Sequence, residues 1–338
     1  MGVSQKTIYA HRTSHIDRRN NMGNKPGIAI ALGGNAISKP GLRGGGVAEQ
    51  FYSTHESMEH VAALVSEGYE RILITHGNGP QVGSAILRSE FASKIVYPLP
   101  LDMCVAETQG EMGYMIQQVL NNCLRERGIN KSVVTVVTQV YVDVHDKAFE
   151  RPSKPIGQFY TEKEAKELMA AKDWNLKEDS GRGWRRMVAS PKPIDVVEKD
   201  VIKTLFDKKN IVIAGGGGGV PIGRNRYNKF YGVEAVIDKD LTSALLASEI
   251  NADILLIMTG VEYAYVDFRG KSERALSNMT VEEMELHLAN GEFADGSMKP
   301  KIEACLNFLK NGGKEAIITS IPKCLAALRG KTGTHIKL

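Results

Sequence analysis

Three lysines stand beside turns that suit an anionic ligand. Lys239 lies between two carboxylates in Asp238-Lys239-Asp240, just ahead of a helical stretch at Leu241–Ile250. Lys301 closes Gly296-Ser297-Met298-Lys299-Pro300-Lys301, which opens a second helix over 297–311. Ser297 can cap that helix, while a lysine in its first turn opposes the helix dipole and calls for a compensating anion. Lys154 sits in Pro152-Ser153-Lys154-Pro155, a rigid extended turn able to hold an ammonium over a crevice. Each feature also has a plain alternative. Acidic residues are ordinary at helix starts, and a surface lysine is usually solvated.

Glycines supply the second half of the pattern. The chain has 34 of them in 338 residues, about a tenth, against a usual ~7%. Four short aliphatic runs each end in a glycine turn. Ile28–Leu32 runs into Gly33-Gly34-Asn35, and Arg71–Thr75 into His76-Gly77-Asn78-Gly79-Pro80. Ile211–Ala214 runs into Gly215–Gly219, including Gly216, Gly217 and Gly218, and Ile254–Met258 into Thr259-Gly260-Val261. In an open parallel sheet such turns line the ligand crevice at the carboxyl ends of the strands. Glycine lets backbone amides approach an anion closely, and a following helix adds partial positive charge. One such turn means little; four together predict a polyanion or two adjacent anions.

Phosphoryl transfer needs this inventory. Its transition state is mostly negative charge on oxygens, so catalysis is positioning plus stabilisation by cations and N–H groups. In this reading Lys239 neutralises phosphate charge, and Asp238 or Asp240 orients it or holds Mg²⁺. The common fingerprints fail. Gly77-x-Gly79 does not complete G-x-G-x-x-G, and neither Gly270-Lys271-Ser272 nor Gly330-Lys331-Thr332 has the upstream glycine of a phosphate-binding P-loop. His55-Glu56 is followed by His60, one position too late for a zinc helix. No convincing Ser/His/Asp or Cys/His set is present.

The elements that position these residues follow from periodicity. Strand-length apolar runs alternate with helical stretches at 48–67, after Pro80, and at about 103–126, with a β-rich stretch at Val133–Val142 and a further strand at Ala316–Thr319. This is the mark of βαβ units around a mainly parallel sheet covered on both faces. Residues 144–195 break the rhythm with four prolines and both tryptophans, and they are expected to form a small inserted subdomain or lid with a helix at about 161–171. Composition is ordinary at 42% hydrophobic and 24% charged, and a net charge of +4 demands no nucleic acid. No apolar run reaches the ~18–20 residues of a membrane span. Cys104, Cys123, Cys305 and Cys324 are widely spaced, as buried thiols of a reducing compartment would be. Residues 1–24, with three arginines and no apolar core, are expected to be a disordered leader; an organelle presequence or an extension ahead of a start at Met22 are the other readings.

Taken together, Ile30-Ala31-Leu32-Gly33-Gly34-Asn35-Ala36, His76-Gly77-Asn78-Gly79-Pro80-Gln81-Val82-Gly83, Lys154-Pro155-Ile156-Gly157, Glu178–Arg186, Gly216–Pro221, Ala235–Asp240, Gly296–Lys301 and Gly330–Thr334 closely resemble the carbamate kinases, a branch of the amino acid kinase superfamily. The resemblance covers about residues 27–338. It implies an α/β fold, an open αβα sandwich with a central mainly parallel sheet and a protruding subdomain. It also implies a cytoplasmic homodimer and Mg²⁺-dependent transfer between ATP and carbamate, usually run toward ATP from ADP and carbamoyl phosphate. Carried over, Gly33, Gly34, Asn35, Gly77, Asn78, Gly79 and the Gly216–Gly218 run would hold the carbamate or the phosphoryl group. Lys239 and Lys301 would stabilise charge, Asp240 would orient lysine, and Lys154 would close over the substrate. Asp238, Thr259, Gly260, Val261, Tyr265, Ser297 and Met298 would lie by the nucleotide, and no residue is assigned as a metal ligand. Two features depart from relatives: many have a small residue at Lys299, and Ala29 and Ala31 stand where other branches place a lysine. The competing readings are another small-acid kinase of the superfamily and a catalytically silent dimeric binding protein of the same fold.

Overall fold

The computed structural model describes residues 25–37, 46–172, 174–179, 181 and 183–338. The leader at 1–24 lies outside the described residues, as do Ser180 and Arg182. An eight-stranded sheet organises the chain. Its order is Asn278–Thr280, Thr334–Lys337, Glu315–Ser320, Ile254–Thr259, Ile28–Leu32, Ile72–His76, Ile211–Ile213, Val133–Thr135. The six strands from Glu315–Ser320 to Val133–Thr135 pair in parallel, and Thr334–Lys337 runs antiparallel beside them.

Strand alternation sorts the core into two faces. Ile28, Ile30 and Leu32 pack with the helices Val47–Ser66 and Leu101–Glu126. Ala29 and Ala31 point the other way, into the cluster holding Ala244 and Ala247 of the helix Lys239–Glu249 and Ala304 of the helix Met298–Lys310. Small residues on both partners let these two helices lie close to the sheet centre. Both carry candidate lysines in their first turns.

A second, four-stranded sheet has the order Phe230–Gly232, Val220–Arg224, Gln139–Val142, Pro193–Val196. Within 144–195, a separate three-stranded antiparallel sheet is built from Lys154–Tyr160, Trp184–Val188 and Leu176–Glu178, with the helix Glu162–Lys172 against it. Pro193–Val196 belongs instead to the second sheet, because it pairs with Gln139–Val142. All four cysteines are buried free thiols. No helix among the described residues is long and apolar enough to cross a membrane.

Asp253 clamps the amino-terminal edge of the sheet. Its carboxylate accepts from the Gly27 amide at 2.7 Å and the Arg71 guanidinium at 3.0 Å, and pairs with Lys314 at 2.6 Å. Four central strands begin at or beside these partners. Burial raises the Asp253 pKa, but the Lys314 and Gly27 bonds outweigh it and hold the carboxyl below its ordinary value. Its stabilisation is therefore complete above the unfolded carboxylate range and is lost as pH falls through the lower folded value. Asp253→Ala should cost about 1–3 kcal/mol at neutral pH, read by urea denaturation, and the loss should shrink in acid.

Candidate functional site

The strand Ile28–Leu32 leads on one side to Ile72–His76, while Ile254–Thr259 returns on its other side. Where strand order reverses in this way, a crevice opens beyond the carboxyl ends. The four glycine turns follow four adjacent strands at this edge. Gly33 donates its amide to the Met258 carbonyl at 3.0 Å, so it joins two strands rather than facing an anion. Gly34, Asn35 and Ala36 form a short 3-10 turn behind it, whose leading amides precede the first internal bond. Gly77 lies against the Lys239 stem. A Cβ at Gly77 would stand 3.3 Å from Lys239 Cδ and 3.9 Å from the Gly34 amide nitrogen. Two of the predicted anion turns and one predicted lysine therefore meet.

The charges converge on Asp240. One carboxylate oxygen accepts from Lys239 Nζ at 2.5 Å and the other from Lys301 Nζ at 3.0 Å. The Asp240 side chain is 4% exposed. Burial works to raise its pKa, and the two ammonium groups reverse that and hold it far below the ordinary carboxylate range. Burial pushes Lys239 down despite Asp240. Burial also works to lower Lys301, but Asp240 wins and its pKa is raised. Asp238 caps the same helix, accepting the Asp240 amide at 2.9 Å with one oxygen and Lys154 Nζ at 2.6 Å with the other. Lys154 thus arrives from the three-stranded sheet.

The Gly215–Gly219 run has a different position. Gly216, Gly217 and Gly218 are fully buried. Added Cβ atoms there would come within 2.4 Å of His76 Nε2, 2.2 Å of Asn78 Nδ2 and 2.4 Å of the Ile237 carbonyl. The run packs behind the site and sets residues that face it. Asn78 is further held by donating to Thr108 Oγ1 at 2.9 Å. Gly79 begins the helix Gly79–Ala92.

On the far side, Thr259 ends its strand and Gly260 is exposed, followed by Val261. Tyr265 lies in the strand Ala264–Val266 and contacts Tyr263 and Phe268 at ring separations of 6.2 and 5.6 Å. Ser297 occupies the N-cap position of Met298–Lys310 but makes no side-chain cap bond, because the backbone there leaves the usual capping conformation (φ −127°, ψ −88°). Its carbonyl instead accepts from Lys301 at 3.3 Å. Lys299 pairs with Asp295 at 2.8 Å, which neutralises the extra charge of the turn locally.

Several braces had no signal in the sequence. Ser243 Oγ donates to the Lys239 carbonyl at 2.6 Å and shares a 2.5 Å bond with Thr75 Oγ1, tying the lysine's helix to the second strand. Gln109 grips Thr138 through both its amide atoms, and Thr138 Oγ1 accepts the Gly215 amide at 2.9 Å. Apart from the within-helix bond of Ser243 to Lys239, these partners are 29 to 168 residues apart in sequence, so local pattern could not reveal them. His76 was visible as part of its turn, yet its full burial was not.

Mg²⁺ finds no ready protein cage here. Both Asp240 oxygens and one Asp238 oxygen are engaged by lysines. The donor set fits an ion carried mainly by nucleotide phosphates, its usual arrangement in phosphoryl-transfer sites. The cluster His55, Glu59, Cys123 brings three donor atoms within 4.8 Å of one another. Glu59, however, forms an ion pair with Arg127 at 2.5 Å, and burial pushes Cys123 up to about 12, so it stays a thiol.

The amino acid kinase family model matches residues 27–320. A carbamate kinase from Pyrococcus horikoshii is 48% identical over 311 residues, 91% of this chain and 98% of the relative. A carbamate kinase-like protein of Escherichia coli, YahI, is 48% identical with the same coverage. The solved structure of a Giardia lamblia carbamate kinase bound to AMP-PNP superposes with a TM-score of 0.85 at 42% identity, covering 92% of this chain and 98% of that one.

His76 gives a pH test of the site's packing. It is 1% exposed, and its Nδ1 lies 3.2 Å from the Gly77 carbonyl, which fixes the Nδ1–H tautomer. Burial pushes its pKa down to about 4, from about 6.5 in an unfolded chain. The unfolded state therefore binds the extra proton first, and stability drops as pH falls below 6.5. Between pH 7.5 and 5 this group should remove about 2 kcal/mol. His76→Gln should flatten that part of the urea-denaturation profile; equal slopes in both proteins would exclude the effect.

Proposed function

Because the chain belongs to the carbamate kinase branch of the amino acid kinase family, we propose that it transfers a phosphoryl group between ATP and carbamate, working in cells toward ATP from ADP and carbamoyl phosphate. The observation that supports this most is the buried Lys239–Asp240–Lys301 bridge at the meeting point of the glycine turns. In the ATP-forming direction a terminal ADP oxygen attacks the phosphorus of carbamoyl phosphate. The bond to the carbamate oxygen breaks, and carbamate leaves with that electron pair. The two ammonium groups stabilise charge on the moving phosphoryl oxygens, while Asp240 holds both at fixed spacing. Gly34, Asn35, Gly77, Asn78 and Gly79 bind the carbamate or phosphoryl group. Gly33 and the Gly216–Gly218 run shape those turns.

The nucleotide lies toward Asp238, Thr259–Val261, Tyr265, Ser297 and Met298; that a nucleotide binds at all is supported by the AMP-PNP complex of the Giardia relative. Mg²⁺ accompanies it on the phosphates. Lys154, on a lid formed by the insert at 144–195, closes the substrate side and excludes water. The protein works as a homodimer in the cytoplasm; the four buried free thiols support the reducing compartment. The apolar patch with Phe91 and Ile95, 87% and 88% exposed, suits a second copy.

Purified chain with ADP and Mg²⁺ should make ATP from carbamoyl phosphate and much less from acetyl phosphate; no ATP from carbamoyl phosphate removes the reading. Lys239→Ala and Lys301→Ala should each lower turnover about 10²–10³-fold, the cost of one oxyanion donor, with folding intact. In sedimentation velocity the chain should run as a dimer and Ile95→Glu as a monomer. A monomeric parent would refute the pairing.

A further inference from the structure

The insert rests on the helix that follows the second glycine turn, and the contact is unusually close. A Cβ at Gly83 would fall 2.1 Å from Gly157 Cα and 2.6 Å from its nitrogen. Backbone cannot be displaced by a side-chain rotation, so any larger residue at 83 must move the strand. Gly157 is itself left-handed, at φ +75°, where a side chain would be strained. It sits where the pairing of Lys154–Tyr160 with Trp184–Val188 shifts register between Ile156 and Tyr160. Beside it, Ile156 is buried in one cluster with Val82, Ala85 and Ile86 of the helix. Farther along, Lys172 pairs with Glu90 at 2.5 Å.

We infer that Gly83 and Gly157 are positioning residues, whose backbone contact between the helix Gly79–Ala92 and the strand Lys154–Tyr160 sets the Lys154 ammonium against Asp238. This rests on the proposed carbamate reaction. The parts are in series. His76-Gly77-Asn78 opens into the helix, Gly83 lies one turn in, Gly157 touches it, and Lys154 is three residues upstream on the same strand. The anion turn and the lid lysine thereby share one rigid reference. Movement of Lys154 by about 1 Å would cost up to about 10²-fold in rate.

A double-mutant cycle reads this. Gly83→Ala should lower kcat/KM for carbamoyl phosphate by about 10–100-fold while the KM for ADP stays near its parent value. In a Lys154→Ala background, Gly83→Ala should have almost no further effect, because the group it positions is gone. Additive losses, or an equal rise in the ADP KM, would overturn the inference. Amide exchange over 154–160 should quicken in Gly83→Ala while exchange over 211–213 does not, and unchanged exchange would also overturn it. Should Gly83→Ala fail to fold, Glu90→Ala loosens the same seam from its other end. It takes Gly83→Ala's place in the cycle with the same criteria. The exchange measurement needs no turnover. An inactive parent chain would sink the carbamate reading, and the positioning claim would stand or fall on exchange alone.

Discussion

A carboxylate held between two lysines is an expensive thing to bury. Removing Asp240, Lys239 and Lys301 from water costs several kcal/mol per ion, and their attraction repays it only with good geometry. Apolar residues of similar volume would stabilise the same space as well or better. The bridge is therefore poorly explained by stability and well explained by a need for cations at fixed places. Much of the surrounding structure serves that need. Ala29 and Ala31 admit two helices close to the sheet, and each brings one lysine in its first turn. Asp238, Ser243 and Thr75 then fix the start of one of them.

Glycine takes two separable parts in this arrangement. At Gly77 the missing side chain leaves room for the Lys239 stem at the crevice. In the Gly215–Gly219 run it permits dense packing, with backbone pressed against His76, Asn78, Ile237 and Val140. Left-handed angles at Gly215, Gly217, Gly218 and Gly219 make the run hard to replace even without those contacts. From the sequence both kinds of glycine look alike, since composition carries no information about which side of a turn faces the ligand.

The central strands were legible because both sheet faces are covered, which makes each of them a continuous apolar run. The turn that ends each run was legible for the same reason. The fold class followed, and so did the lysines at helix starts. Less legible was anything fixed by distant partners. The second sheet borrows Gln139–Val142 from a stretch that reads as one β-rich segment together with Val133–Thr135, and Pro193–Val196 from the end of the insert. The Lys154–Asp238 pair joins positions 84 residues apart. The Ser297 side chain looked like a cap, but the local backbone angles took it out of that geometry.

Under the proposed roles of Lys239 and Lys301, charge balance explains why a carboxylate belongs among cations that would meet a phosphoryl group. Two lysines and one aspartate leave a net +1 in the bridge, whereas the Lys154–Asp238 pair is neutral. Two unpaired buried lysines would repel, and Lys239, already pushed down by burial, would tend to lose its proton. Asp240 keeps both charged and aligned before any ligand arrives, so little reorganisation remains for the reaction itself. It also moderates the attraction. A stronger positive site would bind ground-state phosphate as tightly as the transition state, which lowers KM without raising turnover. A net +1 spread over two fixed ammonium groups favours the geometry in which charge is shared among the phosphoryl oxygens in flight. Lys154 enters from a separate element and is already paired with Asp238 at 2.6 Å, so its charge is balanced apart from the bridge.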